Sequence, residues 1–488
     1  MRMRMRRYGA VLVSGFGFLL SGCMVGPRYV KPSVPVTPNF EEAQAWKEGD
    51  GWKIAQPDDD HIRGKWWELY GDATLNELEE QVDSSNQDLK IAEANLRQAR
   101  AAIRFNRASQ APTIGSSPSI SDIRASAKKP YFPPSSVNNG SGDFILPLDL
   151  SYEVDLWGRV RRTVAAARQQ AQASAADLQT ARLSLHAEVA IDYFEVRSAD
   201  AQEKLLNDTV KAYTEALRLT QNRFEGGASP KSDVAQAQTQ LKAAQVLASD
   251  ITVQRAQYEH ALAILIGKPP AAVHLAVSPL NLAEPVLPSI PVTLPARLLE
   301  RRPDIAAAER RMASTNEQIG IAKAAYYPTL NLAASAGLEG SSILNWLTWP
   351  SRFWAVGPQL SETLFDAGRR RATTETARAG YDAAVAGYRQ TVLDAFQQVE
   401  DNLVVLRVLS TESTQQQQAT GAAEESLKLF QNRYAGGVDT YLQVVTSQTT
   451  ALTNERNDID ILRRRLEANV FLIKAMGGGW NISDLPQL

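Results

Sequence analysis

The chain has 488 residues, 44% hydrophobic and 22% charged, with 52 Lys and Arg against 54 Asp and Glu. A net charge of −2 and a mean hydropathy of −0.27 exclude a helical membrane bundle, a disordered chain and the basic excess of a nucleic-acid binder. One cysteine and four histidines exclude a disulfide framework and a multi-cysteine metal or iron–sulfur site, and leave little for any metalloenzyme.

Residues 1–7 hold Arg2, Arg4, Arg6 and Arg7 and precede an apolar run from Ala10 to Leu20, the charged and apolar regions of a secretory signal. The run is too short to stay as a spanning helix. Leu20-Ser21-Gly22-Cys23 sets small residues ahead of the lone cysteine and resembles the bacterial lipobox. That resemblance implies cleavage after residue 22 and a lipid on Cys23, an S-diacylglycerol with an N-palmitoyl group. Met24 follows instead of Asp, which favours the outer membrane. Loss of the four Arg takes the formal charge from −2 to −6. Beyond the signal no stretch approaches 18 consecutive apolar residues, so no transmembrane helix is expected.

The remaining chain is written twice. Gln221-Asn222-Arg223-Phe224-Glu225-Gly226-Gly227 returns as Gln431-Asn432-Arg433-Tyr434-Ala435-Gly436-Gly437, displaced by 210. Gly158-Arg159 maps onto Gly368-Arg369 at the same displacement, whereas Asp88-Leu89 and Pro112-Thr113 map onto Asp304-Ile305 and Pro328-Thr329 at 216. The expected plan is an N-terminal extension over 23–66, a first repeat over 67–267, a Pro-rich connector over 268–294, a second repeat over 295–476 and a tail over 477–488.

Each repeat reads as a helix, two strands, a very long helix and a returning helix. In the first, strands are expected at about 113–122 and 144–153, then helices over 158–225 and 229–267. In the second, strands are expected at about 329–338 and 351–361, then helices over 368–435 and 439–476. From Arg159 to Glu225 there is no Gly or Pro, which at 1.5 Å per residue makes a rod of about 100 Å. Val164, Ala171, Leu178 and Leu185 recur at sevens, as do Val210, Leu217 and Phe224, a coiled-coil seam that needs neighbouring rods. The second rod contains Gly380, Gly387 and Gly421 and is expected to bend more. At the tips, Gly226-Gly227 is expected to end the rod in a left-handed cap, with Ser229 capping the next helix and Pro230 in its first turn. Asp439 is the matching cap after Gly436-Gly437.

In the strands, Phe144, Leu146, Leu148, Leu150 and Tyr152 alternate with Asp149, Ser151 and Glu153. Leu330, Leu332, Ala334, Ala336 and Leu338 do the same, as do Trp354, Val356, Pro358 and Leu360. A soluble half-buried sheet gives the same alternation, and Pro147 and Pro358 sit awkwardly in a ladder. Tyr131, Phe132, Trp346, Trp349, Phe353 and Trp354 suit an interfacial aromatic belt. Four strands cannot close a barrel, and an open edge cannot face lipid. Closure therefore calls for several chains; three would supply twelve strands and leave a channel.

These features resemble the outer-membrane factor family, the trimeric TolC/OprM-like exit ducts of tripartite efflux systems. The residues carrying the resemblance are Val25-Gly26-Pro27-Arg28-Tyr29 after the lipobox, Asp155-Leu156-Trp157-Gly158-Arg159 and Phe365-Asp366-Ala367-Gly368-Arg369 at the rod starts, Leu298-Leu299-Glu300-Arg301-Arg302-Pro303-Asp304-Ile305, and the two tips. The fold implied is mainly α with a small β part: a 12-stranded β-barrel per trimer on a coiled-coil α-barrel. The implied function is passive conduction of small molecules such as drugs to the exterior, in partnership with a periplasmic adaptor and an inner-membrane resistance–nodulation–division (RND) pump. Adaptor contact falls on Arg223, Gly226, Gly227, Ser229, Arg433, Gly436, Gly437 and Asp439, residues that equally serve as caps and turns. Asp233 and Asp439 are gate candidates. Arg301, Arg302 and Asp304 carry the family motif, with helix initiation as their plainest role. No catalytic or metal residue is assigned and no cofactor beyond the lipid; a lipid-anchored scaffold and a type I secretion exit channel are the alternatives.

Overall fold

The computed structural model describes residues 24–42, 64–124, 126, 141–282, 286–288 and 300–488. Cys23 and two members of the aromatic belt, Tyr131 and Phe132, lie outside the described residues. In chain order the principal elements are α1 (Ala73–Ser85), α2 (Gln87–Ala108), β1 (Thr113–Gly115), β2 (Ser119–Ile123), β3 (Ser141–Val154), α3 (Arg159–Glu225) and α4 (Lys231–Leu265). They continue as α5 (Pro303–Ala324), β4 (Thr329–Gly340), the single turn α6 (Ile343–Trp346), β5 (Arg352–Ser361), α7 (Arg369–Ala435) and α8 (Tyr441–Ala475).

The helix starts follow local chemistry. The Asp72 carboxylate accepts from the backbone N–H groups of Thr74 and Leu75 at the head of α1. Asn86 caps α2 through Leu89 N–H and donates to the Leu265 carbonyl (2.7 Å), fastening the start of α2 to the end of α4. Pro303 occupies the first turn of α5, where its missing N–H costs nothing. Arg302 clamps Asp304 (2.6 Å) and donates to the Ala475 carbonyl at the end of α8, so this motif joins two helix ends. Both rods start after a left-handed glycine, Gly158 (φ 80°) and Gly368 (φ 88°). The Asp155 carboxylate then accepts from the N–H groups of Val160 and Arg161, and Asp366 from those of Gly368 and Arg370.

The two rods have 67 residues each and the two return helices 35 each. The heptad residues Val164, Ala171, Leu178 and Leu185 are all buried, but Phe224 at the tip is 42% exposed, so the seam does not close there within one chain. The main core sits at mid-rod, where Trp66, Trp67 and Tyr70 join Leu75, Val82, Leu262, Leu403 and Leu472. Each such fully buried Leu contributes about 1.5–3 kcal/mol relative to exposure. The α5 helix lies between α3 and α7, whereas α2 packs chiefly on α3; α8 packs on both rods.

All strand pairings are antiparallel, in the order β1–β3–β4–β5 with β2 also on β3. The first expected strand, 113–122, is broken into β1 and β2. Gly115 opposes Asp149 and Ser119 opposes Ile145, so the register is unchanged across the break. The break lies opposite Pro147, which has no N–H, and contains Pro118, which has none either. Ser116 Oγ donates to the Pro147 carbonyl (2.6 Å) in place of the lost ladder bonds. Strand β3 extends beyond its expected 144–153 at both ends, and β4 continues past 338 to Gly340.

An N-terminal strap over 24–42 runs down the rods. Val25 N–H bonds to the Trp157 carbonyl, Tyr29 to Glu309, and Glu42 pairs with Arg407 (2.5 Å); Phe40 is buried against Phe396.

Candidate functional site

Two regions carry the functional argument: the sheet with its root, and the tips of the rods. In the sheet, directly opposed residues share a face. Leu146 opposes Leu338, Leu148 opposes Ala336, and Leu150 opposes Ala334; across the next pairing Ala336 opposes Trp354 and Ala334 opposes Val356. One face is therefore apolar across three neighbouring strands. Asp149, Ser335 and Gln359 fall on the other, where Ser335 Oγ donates to Asp149 (2.6 Å). Trp349, Trp354 and Val356 are each more than 70% exposed. Pro358 stands on β5, an edge strand, which spares an internal ladder bond.

All four root ends of the sheet, Thr113, Val154, Thr329 and Ser361, meet helices, while the opposite ends lead into the remaining connections. At the root Trp157 stacks on Tyr327 (4.6 Å) and its indole donates to the Pro328 carbonyl (2.8 Å). Met24 packs on Gly158 so tightly that a Cβ there would lie 2.9 Å from the methionine Cγ. The residue after Cys23 is thus set at the junction of sheet and rods. Among the described residues no helix is long and apolar enough to cross a membrane, and no cluster of His, Cys, Asp or Glu could hold a metal.

At the tips the same turn is built twice. Gly227 N–H bonds to the Phe224 carbonyl and Ala228 N–H to that of Arg223; Gly437 and Val438 repeat this onto Tyr434 and Arg433. These are Schellman turns, which require positive φ at one residue. Only the second glycine of each pair is left-handed, Gly227 (φ 71°) and Gly437 (φ 73°), while Gly226 and Gly436 are not. The cap assignments also need correcting. Pro230, not Ser229, immediately precedes α4, and Ser229 Oγ is buried without a hydrogen-bond partner. Thr440, not Asp439, immediately precedes α8. Asp439 is held instead by Arg433 Nε (2.9 Å) and by the Thr440 N–H, which keep its carboxyl below the usual range.

The equivalent arginines part company. Arg223 Nη1 donates across to the Tyr434 and Ala435 carbonyls (2.9 and 3.1 Å), with its guanidinium 4.6 Å from the centre of the Tyr434 ring. Tyr434 is buried and leans on Tyr441 (5.1 Å) over Ala237 and Val444. Arg223 therefore clasps the second tip, while Arg433 stays on its own. Asp233 stays on the first tip, beside Ser232. The sequence reading missed Tyr434 and Tyr441 as clasp members and Asp155 and Asp366 as rod caps. The change from Phe224 to Tyr434, one of two within the repeated motif beside Glu225 to Ala435, was the available signal for the first pair.

Comparison with known proteins fits this architecture. Residues 78–268 and 294–478 match the family described as Outer membrane efflux protein, one segment per repeat. The chain is 31% identical over 471 residues to the solvent efflux pump outer membrane protein SrpC of Pseudomonas putida, covering 96% of this chain and 97% of that one. It is 31% identical over 463 residues to the outer membrane protein OprJ of Pseudomonas aeruginosa, covering 95% and 94%. Its fold is similar to the open state of the Neisseria gonorrhoeae MtrE outer membrane channel, with a TM-score of 0.79, 26% identity, and coverage of 94% and 99%. A duplicated rod-and-strand unit, matched over nearly its whole length, makes this chain a member of the outer membrane efflux protein family, an outer-membrane component of an efflux system.

Proposed function

We propose that the chain works as a homotrimeric duct: three copies close a twelve-stranded barrel in the outer membrane, and their rods form a tube beneath it. Small molecules pass through it without chemistry, driven by an inner-membrane RND pump reached through a periplasmic adaptor. The observation that carries this reading is the single apolar face running across β3, β4 and β5, on a sheet rooted at one end in two 67-residue rods. A sheet with two open edges cannot stand alone in lipid, because each unpaired backbone group costs several kcal/mol. A lipid-anchored scaffold leaves that face without a role. The names of SrpC and other relatives point to solvents and antibiotics as cargo classes.

The lipid on Cys23 would enter the inner surface of the same membrane, since Met24 already lies at the sheet root. The tips are the end facing the adaptor, with Gly226, Gly227, Ser229, Gly436, Gly437 and Asp439 in the contact surface and Asp233 and Asp439 as candidates for narrowing the opening. The Arg223–Tyr434 clasp sets how far the two hairpins of one copy can separate. Planar bilayer recording of the purified protein tests the duct: discrete single-channel steps support it, and a membrane-bound protein that never conducts removes it.

A further inference from the structure

The connection between β4 and β5, at the end of the sheet away from the rods, folds back onto the apolar face. Opposed pairs define that face at the rim: Phe144 faces Gly340 across the ladder, Leu146 faces Leu338, and Leu338 faces Arg352. A Cβ added to Gly340 would project from this face and meet the Trp346 Cα at 3.1 Å, and one on Gly142 would meet the Ser341 carbonyl oxygen at 2.8 Å. Two glycines thus clear the space in which the turn lies. Trp346 fastens it there, with its ring 5.7 Å from that of Phe144 and its indole donating to the Leu338 carbonyl at 3.3 Å. The Thr348 and Ser351 hydroxyls both donate to the Asn345 carbonyl (2.7 and 2.6 Å) and close the loop on itself.

So fixed, the turn still leaves Ile343, Leu344, Leu347 and Trp349 between 66% and 87% exposed. Arg352, at the same rim and on the same face, donates to the Trp349 carbonyl (3.0 Å) and keeps its guanidinium 4.7 Å from the centre of that ring. Among the described residues no carboxylate pairs with it. The result is an apolar ledge, continuous with the face across β3, β4 and β5, bordered by an indole and one cation without a counter-charge. Such an arrangement matches a molecule that is apolar on one side and anionic at its head.

We propose that this turn is a binding ledge for a phosphorylated, multiply acylated glycolipid of the outer leaflet, with acyl chains against Leu344 and Leu347 and a phosphate on Arg352. This rests on the membrane barrel proposed above, which turns the apolar face to lipid, and adds what the outer leaflet meets there. A guanidinium suits a phosphate because its planar N–H groups bond two oxygens at once and never lose their charge. The same placement gives the turn no part in closing the channel: lying on the outward face, it does not overhang the mouth.

The test is lipid binding by the purified full-length protein. Native mass spectrometry in detergent with added lipid A should show it bound to the parent. Arg352→Gln should weaken binding about tenfold, through loss of a charge-assisted contact, and Leu344→Asp with Leu347→Asp about a hundredfold. Lipid A stripped of its phosphates should bind the parent no better than intact lipid A binds Arg352→Gln. In outer-membrane vesicles a nitroxide on Leu344→Cys should collide with oxygen more readily than with a water-soluble nickel chelate. Equal binding by the parent and both variants, or preferential collision with the chelate, overturns the ledge. So does a higher single-channel conductance in the double leucine variant with lipid binding unchanged, which would make the turn a lid. Bilayer recording of the parent keeps the two readings apart: a conducting parent that binds no lipid A overturns the ledge alone, and a parent that never conducts removes the duct.

Discussion

Glu79 and His186 illustrate how much one buried pair can control. Glu79 Oε2 lies 2.6 Å from His186 Nδ1, and the imidazole stacks on Trp67 at 4.4 Å. Burial pushes Glu79 up to about 7 even though His186 pulls the other way. Burial of His186 works to lower it but is outweighed by Asp83 and Glu79, so it too titrates above its ordinary value. Raised values in both members mean the folded state keeps a proton that the unfolded chain releases earlier. Their contribution is complete below pH 4.5 and falls as pH rises through 7. Melting followed by circular dichroism should show stability declining between about pH 4.5 and 7, by an amount on the order of 1 kcal/mol. Glu79→Gln should flatten that slope. At the tip, Arg223→Ala removes two charge-assisted hydrogen bonds and a cation–π contact, a loss of about 1–3 kcal/mol. Without the clasp, single-channel recordings should show a larger resting conductance than the parent protein.

Among elements, the turns decide. Gly437 has φ 73° and donates its N–H to Tyr434, and proline can satisfy neither condition. Gly437→Pro should abolish export, read as loss of drug tolerance in cells, while the protein still inserts and assembles. The elements themselves were largely legible: absence of Gly and Pro over a long heptad run leaves a chain little choice but a rod. The break between β1 and β2 was harder, because it depends on Pro147 of β3 facing the same point as Pro118, a coincidence visible only once register is known. The caps were misplaced by one residue at Ser229 and Asp439 for a related reason. Both are good capping types, but Asp439 is taken by Arg433 and Ser229 Oγ is buried beside the turn. Competing partners in three dimensions override a local preference.

For the whole molecule, the duplicated sequence stated the architecture and left its asymmetry hidden. The 210-residue displacement carries Arg223 onto Arg433, yet one arginine crosses to the other tip and its twin folds back. That difference arises from Tyr434 and Asp439, which replace Phe224 and Ser229. Anchoring is tested at this scale too. Cys23→Ser should eliminate incorporation of radiolabelled palmitate, while the proposed trimer, whose seams would be formed by strands and rods, persists on native gels.

The strap over 24–42 would give the proposed lipid on Cys23 a mechanical meaning. Its first residues are wedged against Gly158 and its later ones are bolted to Glu309, Phe396 and Arg407 at intervals down the shaft. Acyl chains at Cys23 would therefore not be a loose mooring line but a collar, fixing the depth at which the shaft hangs from the membrane. Any pull exerted on the tips from below would be shared by that collar and not borne by the strands alone.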